Sequence, residues 1–156
     1  MKATVGQILT RKGHQIFSIT PDKPVIDAIK LMSIKGIGAV LVMNERSHQA
    51  ADRLSDDLVG ILSERDYARR VILEDRSSRT TRVEEIMTKK VYCVSPKQTV
   101  EDCLMLMTDR YVRHLPVIED GLVVGVLSIG DIVSTVISDK ERHIEQLERY
   151  VQGTLA

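Results

Sequence analysis

The pattern of apolar and polar residues predicts a series of short helices and strands that occurs twice in this chain. Each copy begins with a short apolar helix and a strand, and a Thr-Pro or Ser-Pro turn follows. The next segment has apolar residues at spacings of three and four, which marks one face of a helix. Two β-rich runs and a closing helix complete each copy, so the unit after the leading helix is β-α-β-β-α. The predicted ranges are 5–9, 16–19, 25–32, 39–43 and 58–62 with a closing helix from Glu64, and then 83–87, 91–94, 100–107, 114–118 and 123–127 with a closing helix from Ile129.

The two copies align directly and differ in length at one place. Residues 19–32 match residues 94–107, whereas Gly60-Ile-Leu-Ser-Glu-Arg-Asp66 matches Gly125-Val-Leu-Ser-Ile-Gly-Asp131 at a shift that is shorter by about ten residues. The additional residues fall in the polar stretch 44–57, which predicts a surface hairpin loop. We therefore predict a first repeat at residues 1–76, a second repeat at 77–138 and a C-terminal helical extension at 139–156.

A single unit of this size cannot bury both faces of its sheet. We therefore predict an α+β (α/β) fold in which the two β-α-β-β-α repeats pack sheet to sheet about a pseudo-two-fold axis. Clefts where the repeats meet would bring the two Gly-x-x-Ser-x-x-Asp segments into one interface.

The closing helix of the second copy is predicted to continue toward Gly153. One apolar stripe runs along it between charged residues, which is typical of a helix that packs on its own domain. Packing on another subunit is the alternative. The stripe consists of Val133, Ile137, Ile144, Leu147 and Val151.

Serine and aspartate stand three residues apart at the predicted start of both closing helices, as Ser63 with Asp66 and Ser128 with Asp131. Unpaired N–H groups and the positive end of the helix dipole suit this position to an anion. A carboxylate there offers two oxygens to the two hydroxyls of a ribose. The alternative is a capping box, which only begins the helix.

Charge and composition argue against a nucleic-acid partner. The chain has 156 residues, with 22 Lys plus Arg and 22 Asp plus Glu, and this net charge of zero does not favour a polyanion such as DNA as the main partner. Only 3% of the residues are aromatic, too few for base-stacking platforms. The N-terminal residues lack the apolar core of a signal peptide, and no stretch approaches transmembrane length, so we predict a cytoplasmic protein without a membrane partner.

The residues that usually carry catalysis or bind metal form no recognisable motif. Cys93 is placed on a strand and Cys103 on an apolar helix face, and both are predicted to be buried small hydrophobes. The histidines at positions 14, 48, 114 and 143 lack the paired spacing of zinc sites. We predict neither an enzyme nor a metal site.

The duplicated motifs resemble those of a cystathionine-β-synthase (CBS) domain pair, also called a Bateman module. The resemblance is carried by the Thr-Pro turn before a helix, by Arg113-His-Leu-Pro-Val-Ile118 and by Gly125-Val-Leu-Ser-Ile-Gly-Asp131, and it spans roughly residues 4–137. The run from Gly60 to Arg70 also resembles the stand-alone bacterial members of the family. The resemblance implies a regulatory module that binds AMP, ADP, ATP or NAD(H) and has no catalytic cofactor.

The family pattern also implies roles for individual residues. Asp66 and Asp131 would hold ribose hydroxyls, and the serines beside them the ribose or first phosphate. Arg113 and His114 would contact phosphate, whereas the equivalent Gly38 and Ala39 carry no cation, so the two clefts are expected to be unequal. The nucleotide-binding residues implied are Thr20, Ile37, Gly38, Ser63, Arg65, Asp66, Ser95, Val112, Arg113, His114, Ser128 and Asp131.

The output of such a module is expected to act in trans. The resemblance implies a homodimer, because stand-alone relatives form flat disc-like dimers, together with a protein partner that the sequence does not identify. The alternative function is a structural or protein-interaction module that binds no nucleotide and docks through its C-terminal helix.

Overall fold

A computed structural model describes residues 3–45 and 54–152 and contains the predicted tandem repeat. The first part of the chain contains α1 (Val5–Lys12), β1 (Ser18–Ile19), α2 (Val25–Lys35), β2 (Ala39–Met43), a 3-10 turn (Ser55–Asp57), β3 (Leu58–Ser63), α3 (Glu64–Tyr67) and a π-helical continuation (Ala68–Ile72). The second part contains α4 (Val83–Ile86), α5 (Val100–Arg110), β4 (His114–Glu119), β5 (Leu122–Ser128) and α6 (Ile129–Val151). The predicted fold class is confirmed, including the C-terminal helix.

The strands form two small sheets that face each other. In the first sheet β2 lies between β1, which runs parallel to it, and β3, which runs antiparallel, and in the second sheet β4 pairs antiparallel with β5. Apolar side chains from both sheets form a shared cluster that includes Ile16, Leu41, Met43 and Val123. The two repeats are therefore joined sheet to sheet, as predicted.

The strand predicted at residues 91–94 is reduced to one parallel bridge between Val94 and Val117. In the first copy the N–H of Leu41 donates to the carbonyl of Phe17 at 3.1 Å. The equivalent of Leu41 in the second copy is Pro116, which has no N–H to donate. That missing donor explains why the second sheet lacks the additional strand. The strand predicted at residues 16–19 is also shorter than expected, since only Ser18 and Ile19 pair with β2.

The leading helices are exchanged between the two cores. Helix α1 contributes Val5, Ile8 and Leu9 to the core that contains α5, β4 and β5, whereas α4 packs in the core of the first repeat. Glycine permits this close contact at both places. A Cβ on Gly125 would lie 2.7 Å from Cδ2 of Leu9, and one on Gly60 would lie 2.6 Å from Sδ of Met87.

The predicted surface loop at residues 44–57 lies partly outside the described residues. Its described end contacts the second repeat, because Leu54 bridges Leu122 and the N–H of Ser55 donates to the carbonyl of Gly121 at 2.7 Å. Asp120 and Gly121 both have positive φ angles of 51° and 74°, as a tight two-residue hairpin turn requires. The described end of the insert therefore forms backbone hydrogen bonds with the β4–β5 turn of the second repeat.

Candidate functional site

Both Ser-x-x-Asp segments form capping boxes at helix starts. The N–H of Ser63 donates to Asp66 Oδ2 at 3.0 Å, and the N–H of Asp66 donates back to the Ser63 hydroxyl at 3.1 Å. In the second repeat, Ser128 donates its N–H to Asp131 Oδ2 at 2.7 Å and accepts the N–H of Asp131 at 3.2 Å. The capping interpretation is therefore correct for both copies.

A cleft of about 600 Å³ opens beside the second of these helix starts, where the two repeats meet. This size falls within the range of about 300–1,000 Å³ that is usual for small-molecule sites. Residues of both repeats form its walls, and they combine apolar side chains with several charged ones. The lining residues are Lys12, Gly13, Gln15, Phe17, Ile34, Lys35, Gly36, Ile37, Gly38, Ala39, Leu41, Ile61, His114, Val126, Ser128 and Asp131.

Lys12 is the closest ionic partner of Asp131 in the cleft. Its ammonium group at the C-terminal end of α1 donates to Asp131 Oδ2 at 2.6 Å and to the carbonyl oxygen of Val126 at 2.6 Å. Burial opposes ionisation of Asp131, but the hydrogen bonds from Lys12 and Ser128 outweigh it and lower the pKa of the carboxyl group below its usual value. Asp131 is therefore a carboxylate at neutral pH.

One oxygen of Asp131 remains available to a ligand. All the hydrogen bonds from Lys12 and Ser128 end on Oδ2, and no described residue hydrogen-bonds to Oδ1. The side chain of Asp131 retains 22% exposure. A hydroxyl entering the cleft can thus reach the carboxylate without breaking the cap.

His114 and Gly38 meet at the back of the cleft. A Cβ on Gly38 would lie 3.6 Å from both Cε1 and Nε2 of the imidazole and 3.3 Å from Oε1 of Glu64, so glycine gives both side chains their space. Burial, together with the positive charges of Lys12 and Arg113, lowers the pKa of His114 more than Asp131 raises it. The imidazole is therefore mainly neutral at pH 7.

An aromatic ring forms part of the wall of the cleft, although only 3% of the residues of the chain are aromatic. Phe17 lines the cleft, and the ammonium group of Lys35 lies 5.2 Å from its ring centroid. The second repeat contains the equivalent pair, with Arg110 5.3 Å from the ring centroid of Tyr92. Each repeat thus places a cation over an aromatic face.

The predicted site residues divide between this cleft and its surroundings. The cleft brings together five of them, namely Ile37, Gly38, His114, Ser128 and Asp131. Ser63, Asp66, Val112 and Arg113 are the pseudo-two-fold equivalents of four of these, so they belong to the corresponding position on the other side of the axis. Thr20, Arg65 and Ser95 do not line the described cleft. Thr20 hydrogen-bonds to Asp22, Arg65 is exposed, and Ser95 donates its N–H to Gln98 at 2.8 Å.

The equivalent position around Asp66 differs in the group that contacts the carboxylate. The hydroxyl of Thr88 lies 3.2 Å from Oδ1 and 3.4 Å from Oδ2 of Asp66, whereas Asp131 has the Lys12 ammonium group. The expected inequality of the two positions therefore extends beyond Gly38 and Arg113.

Sequence reasoning missed Lys12, Phe17 and Lys35 among the charged and aromatic wall residues. Each has an equivalent of the same type in the second copy, Lys90, Tyr92 and Arg110, and this repetition was the available signal. The burial predicted for Cys93 was wrong, because this residue is exposed. Cys103 is fully buried, and burial raises the pKa of its thiol to about 11, which excludes a thiolate at neutral pH.

Residues 3–45 and 54–152 contain neither a cluster of metal-ligating side chains nor a membrane-spanning helix. No three His, Cys, Asp or Glu side chains in these ranges are grouped so that they could hold a metal ion. No helix in them is long and apolar enough to cross a membrane.

Comparison with known proteins identifies the family. The CBS domain model matches residues 5–73 and 83–138. A protein with CBS domains from Burkholderia ambifaria has a TM-score of 0.79 and 49% identity, covering 88% of this chain and 96% of that one. The mitochondrial CBS domain-containing protein CBSX3 of Arabidopsis thaliana is 36% identical in an alignment of 156 positions that covers 96% of this chain and 72% of that protein.

A further structure with this fold contains ligands. The CBS domain pair of protein MJ0100, in complex with 5′-methylthioadenosine and S-adenosyl-L-methionine, has a TM-score of 0.71 at 21% identity, covering 90% of this chain and 99% of that one. The duplicated motifs, the fold and these matches together show that the chain belongs to the CBS domain family and consists of a tandem pair of CBS repeats.

Proposed function

We propose that this protein is a non-catalytic regulatory module that binds an adenine nucleotide in the cleft at Asp131 and transmits the cell's energy or redox state to a partner in trans. The observation that carries the proposal is the cleft itself, which joins a carboxylate, a helix N-terminus and two lysines to an apolar wall between the repeats. This combination matches the three parts of a nucleotide, namely an apolar base, a diol and an anionic phosphate.

The apolar wall offers a place for the base. Ile37 and Phe17 are half-buried members of the core cluster of the first repeat, and both line the cleft. A purine that packs against them would bury apolar surface. In this arrangement the ribose lies toward Ser128 and Asp131, and the free Oδ1 of Asp131 accepts a ribose hydroxyl.

Lys12 provides the phosphate contact in this proposal. Its ammonium group forms an ion pair with Asp131. A nucleotide supplies hydroxyl donors to the carboxylate and a phosphate to the ammonium group, so Lys12 can exchange one anionic partner for another. Lys35 and the first turn of α6 add positive potential to the same cleft.

The ligand class is supported by one protein of the same fold. The CBS pair of MJ0100 binds two adenosine-containing molecules. At 21% identity that likeness concerns the fold alone, and titration with AMP, ADP, ATP and NAD(H) distinguishes these ligands for this chain.

Signal transmission would use the elements that the ligand touches. The cleft contains residues of both repeats, and α6 starts in it and extends 23 residues along the molecule. A nucleotide can shift the arrangement of the repeats only to the extent that it binds one arrangement more tightly than another. We propose that a partner protein reads that shift.

Thermal denaturation with and without nucleotide tests the proposal directly. A ligand present at one hundred times its dissociation constant adds about 2.7 kcal/mol to the free energy of unfolding, which raises the melting temperature of a chain of this size by about 5–10 °C. AMP, ATP and NADH should be compared with adenosine at equal concentration. Stabilisation that is smaller in Asp131→Asn, together with a folded circular dichroism spectrum, supports the cleft as the site.

A structural or interaction module without nucleotide is the second candidate function. It is favoured by the exposed apolar stripe of α6, where Ile144 is 54% exposed and Leu147 is 50% exposed. The same thermal experiment separates the two functions, because no nucleotide would change the melting temperature of a module that binds none.

A further inference from the structure

The distal half of α6 makes no packing contact that buries it. Every residue from 140 to 152 is exposed, whereas Ile132 and Thr135 in the first turns are buried against the domain. A helical segment of this length without tertiary contacts is marginally stable in water. The surface that stabilises it is therefore expected to come from another molecule.

The apolar stripe predicted from the sequence does not pack on its own domain, so that expectation was wrong. Its members are 45–80% exposed, and they are Val133, Ile137, Ile144, Leu147 and Val151. At about 100° of rotation per residue, the centre of this stripe lies about 130° around the helix axis from Ile132 and Thr135. The stripe therefore points away from the domain, along the whole length of α6.

The spacing of the stripe is that of a coiled coil. Its five residues follow intervals of four, seven, three and four, so Ile137, Ile144 and Val151 occupy one core position of a heptad, and Val133 and Leu147 occupy the other. The missing core position between Ile137 and Ile144 is Lys140. A single polar core residue fixes register and limits the number of strands at some cost in stability.

The charges beside the stripe complement those of an identical helix in parallel orientation. In a parallel pair, core Lys140 of one helix lies next to Glu141 of the other, and flanking His143 faces Glu148. The two-fold axis repeats each contact, which gives two Lys–Glu pairs and two His–Glu pairs. An antiparallel pair instead places Glu141 opposite its own copy, which is unfavourable.

From these observations we infer that a second copy of this chain covers the stripe, and that the two α6 helices form a short parallel coiled coil about a two-fold axis. The domains lie outside this pair, because the face of α6 that packs on the domain is turned away from the stripe. The inference concerns the protein contact only and does not depend on whether a nucleotide binds in the cleft.

Sedimentation of the full chain and of two matched variants tests this contact. The chain of 17.5 kDa is expected to sediment as a dimer. Leu147→Glu adds one negative charge to the stripe and is expected to weaken dimerisation at least tenfold, whereas Gln146→Glu adds the same charge on the opposite side of α6 and should leave it unchanged. A monomeric wild-type protein overturns the inference, and so does a Leu147→Glu protein that dimerises as well as the wild type.

Cysteine cross-linking tests the orientation, in a chain that also carries Cys93→Ser. Val151→Cys is expected to form a disulfide with its own copy, because a parallel pair holds the two positions together. Arg149→Cys, on the outer side of α6, is the matched control and should remain reduced. An antiparallel pair separates the two copies of residue 151 by most of the length of the stripe, so the absence of this disulfide in a protein that dimerises overturns the parallel coiled coil.

Discussion

Replacement of Asp131 by alanine or by asparagine separates two roles of this side chain, which accepts the capping hydrogen bond from Ser128 and forms an ion pair with Lys12. Alanine removes the acceptor of the 2.7 Å hydrogen bond from the Ser128 N–H group and also the ionic partner of Lys12. Asparagine keeps an oxygen acceptor for the N–H group and removes only the charge. The difference in the free energy of unfolding between the two variants therefore measures the contribution of the capping hydrogen bond.

The magnitudes follow from the burial of the groups. Leaving the half-buried Ser128 N–H without an acceptor costs about 1–2 kcal/mol. The ion pair is worth less, about 0.2–1 kcal/mol, because its two side chains are 37% and 22% exposed. We expect the free energy of unfolding to fall by about 1.5–2.5 kcal/mol in Asp131→Ala and by about 0.5 kcal/mol in Asp131→Asn.

Denaturant titration followed by circular dichroism measures these differences, and titration calorimetry measures nucleotide affinity on the same samples. Each hydrogen bond from a ribose hydroxyl to a carboxylate is worth about 1.5 kcal/mol, so both variants should bind nucleotide at least tenfold more weakly. Asp102→Ala is the matched control, because Asp102 closes the same type of capping box with Thr99 on α5, outside the cleft. It should lower stability while leaving affinity unchanged. Equal stability of the alanine variant and the wild type would refute the cap, and unchanged affinity would refute the ribose contact.

Three further predictions concern other groups of the site and the core. Lys12→Met should weaken ATP binding about tenfold without weakening adenosine binding, as measured by calorimetry, because only the phosphate loses a partner; equal losses for both ligands would contradict this role. Gly125→Ala should lower the free energy of unfolding by about 1–3 kcal/mol, because the new methyl group would lie 2.7 Å from Leu9, whereas Gly130→Ala, with its nearest contact at 3.5 Å, should not destabilise the protein. The free energy of unfolding should fall as the pH drops below about 6.5, since the folded protein holds His114 at a lowered pKa and the unfolded chain binds the proton more readily. His114→Gln should reduce that slope, and an unchanged pH profile would assign the effect to other groups.

The parts of the fold that depend on local pattern could be predicted from the sequence. The bounds of β2, the starts of α3 and α6 and the two capping boxes follow from spacing and residue type within a few positions. Pro116 is visible in the sequence as well. Its effect on the strand predicted at residues 91–94 depends on which backbone group faces it across the sheet. Alternating hydrophobicity indicates which side chains are buried. It does not indicate whether a backbone N–H group is available to pair with a neighbouring strand.

The charged wall of the cleft could not be predicted because it depends on contacts distant in sequence. Lys12 and Asp131 are 119 positions apart and meet because α1 packs in the core of the other repeat. Alignment of the repeats placed α1 with the copy that it precedes. The sequence therefore identified the carboxylate and missed its counter-ion.

The exchange of α1 and α4 also has a consequence for the order in which the protein can fold. As the chain is synthesised, α1 leaves the ribosome before the strands and helices of the second repeat that cover Val5 and Leu9. The core of the first repeat is complete only after Val83 and Ile86 of α4 have been synthesised. A fragment that stops between the repeats would therefore expose α1, because the core that α1 packs against is missing, and would leave the core of the first repeat without α4. Two separately produced halves should acquire their native structure only when they are mixed.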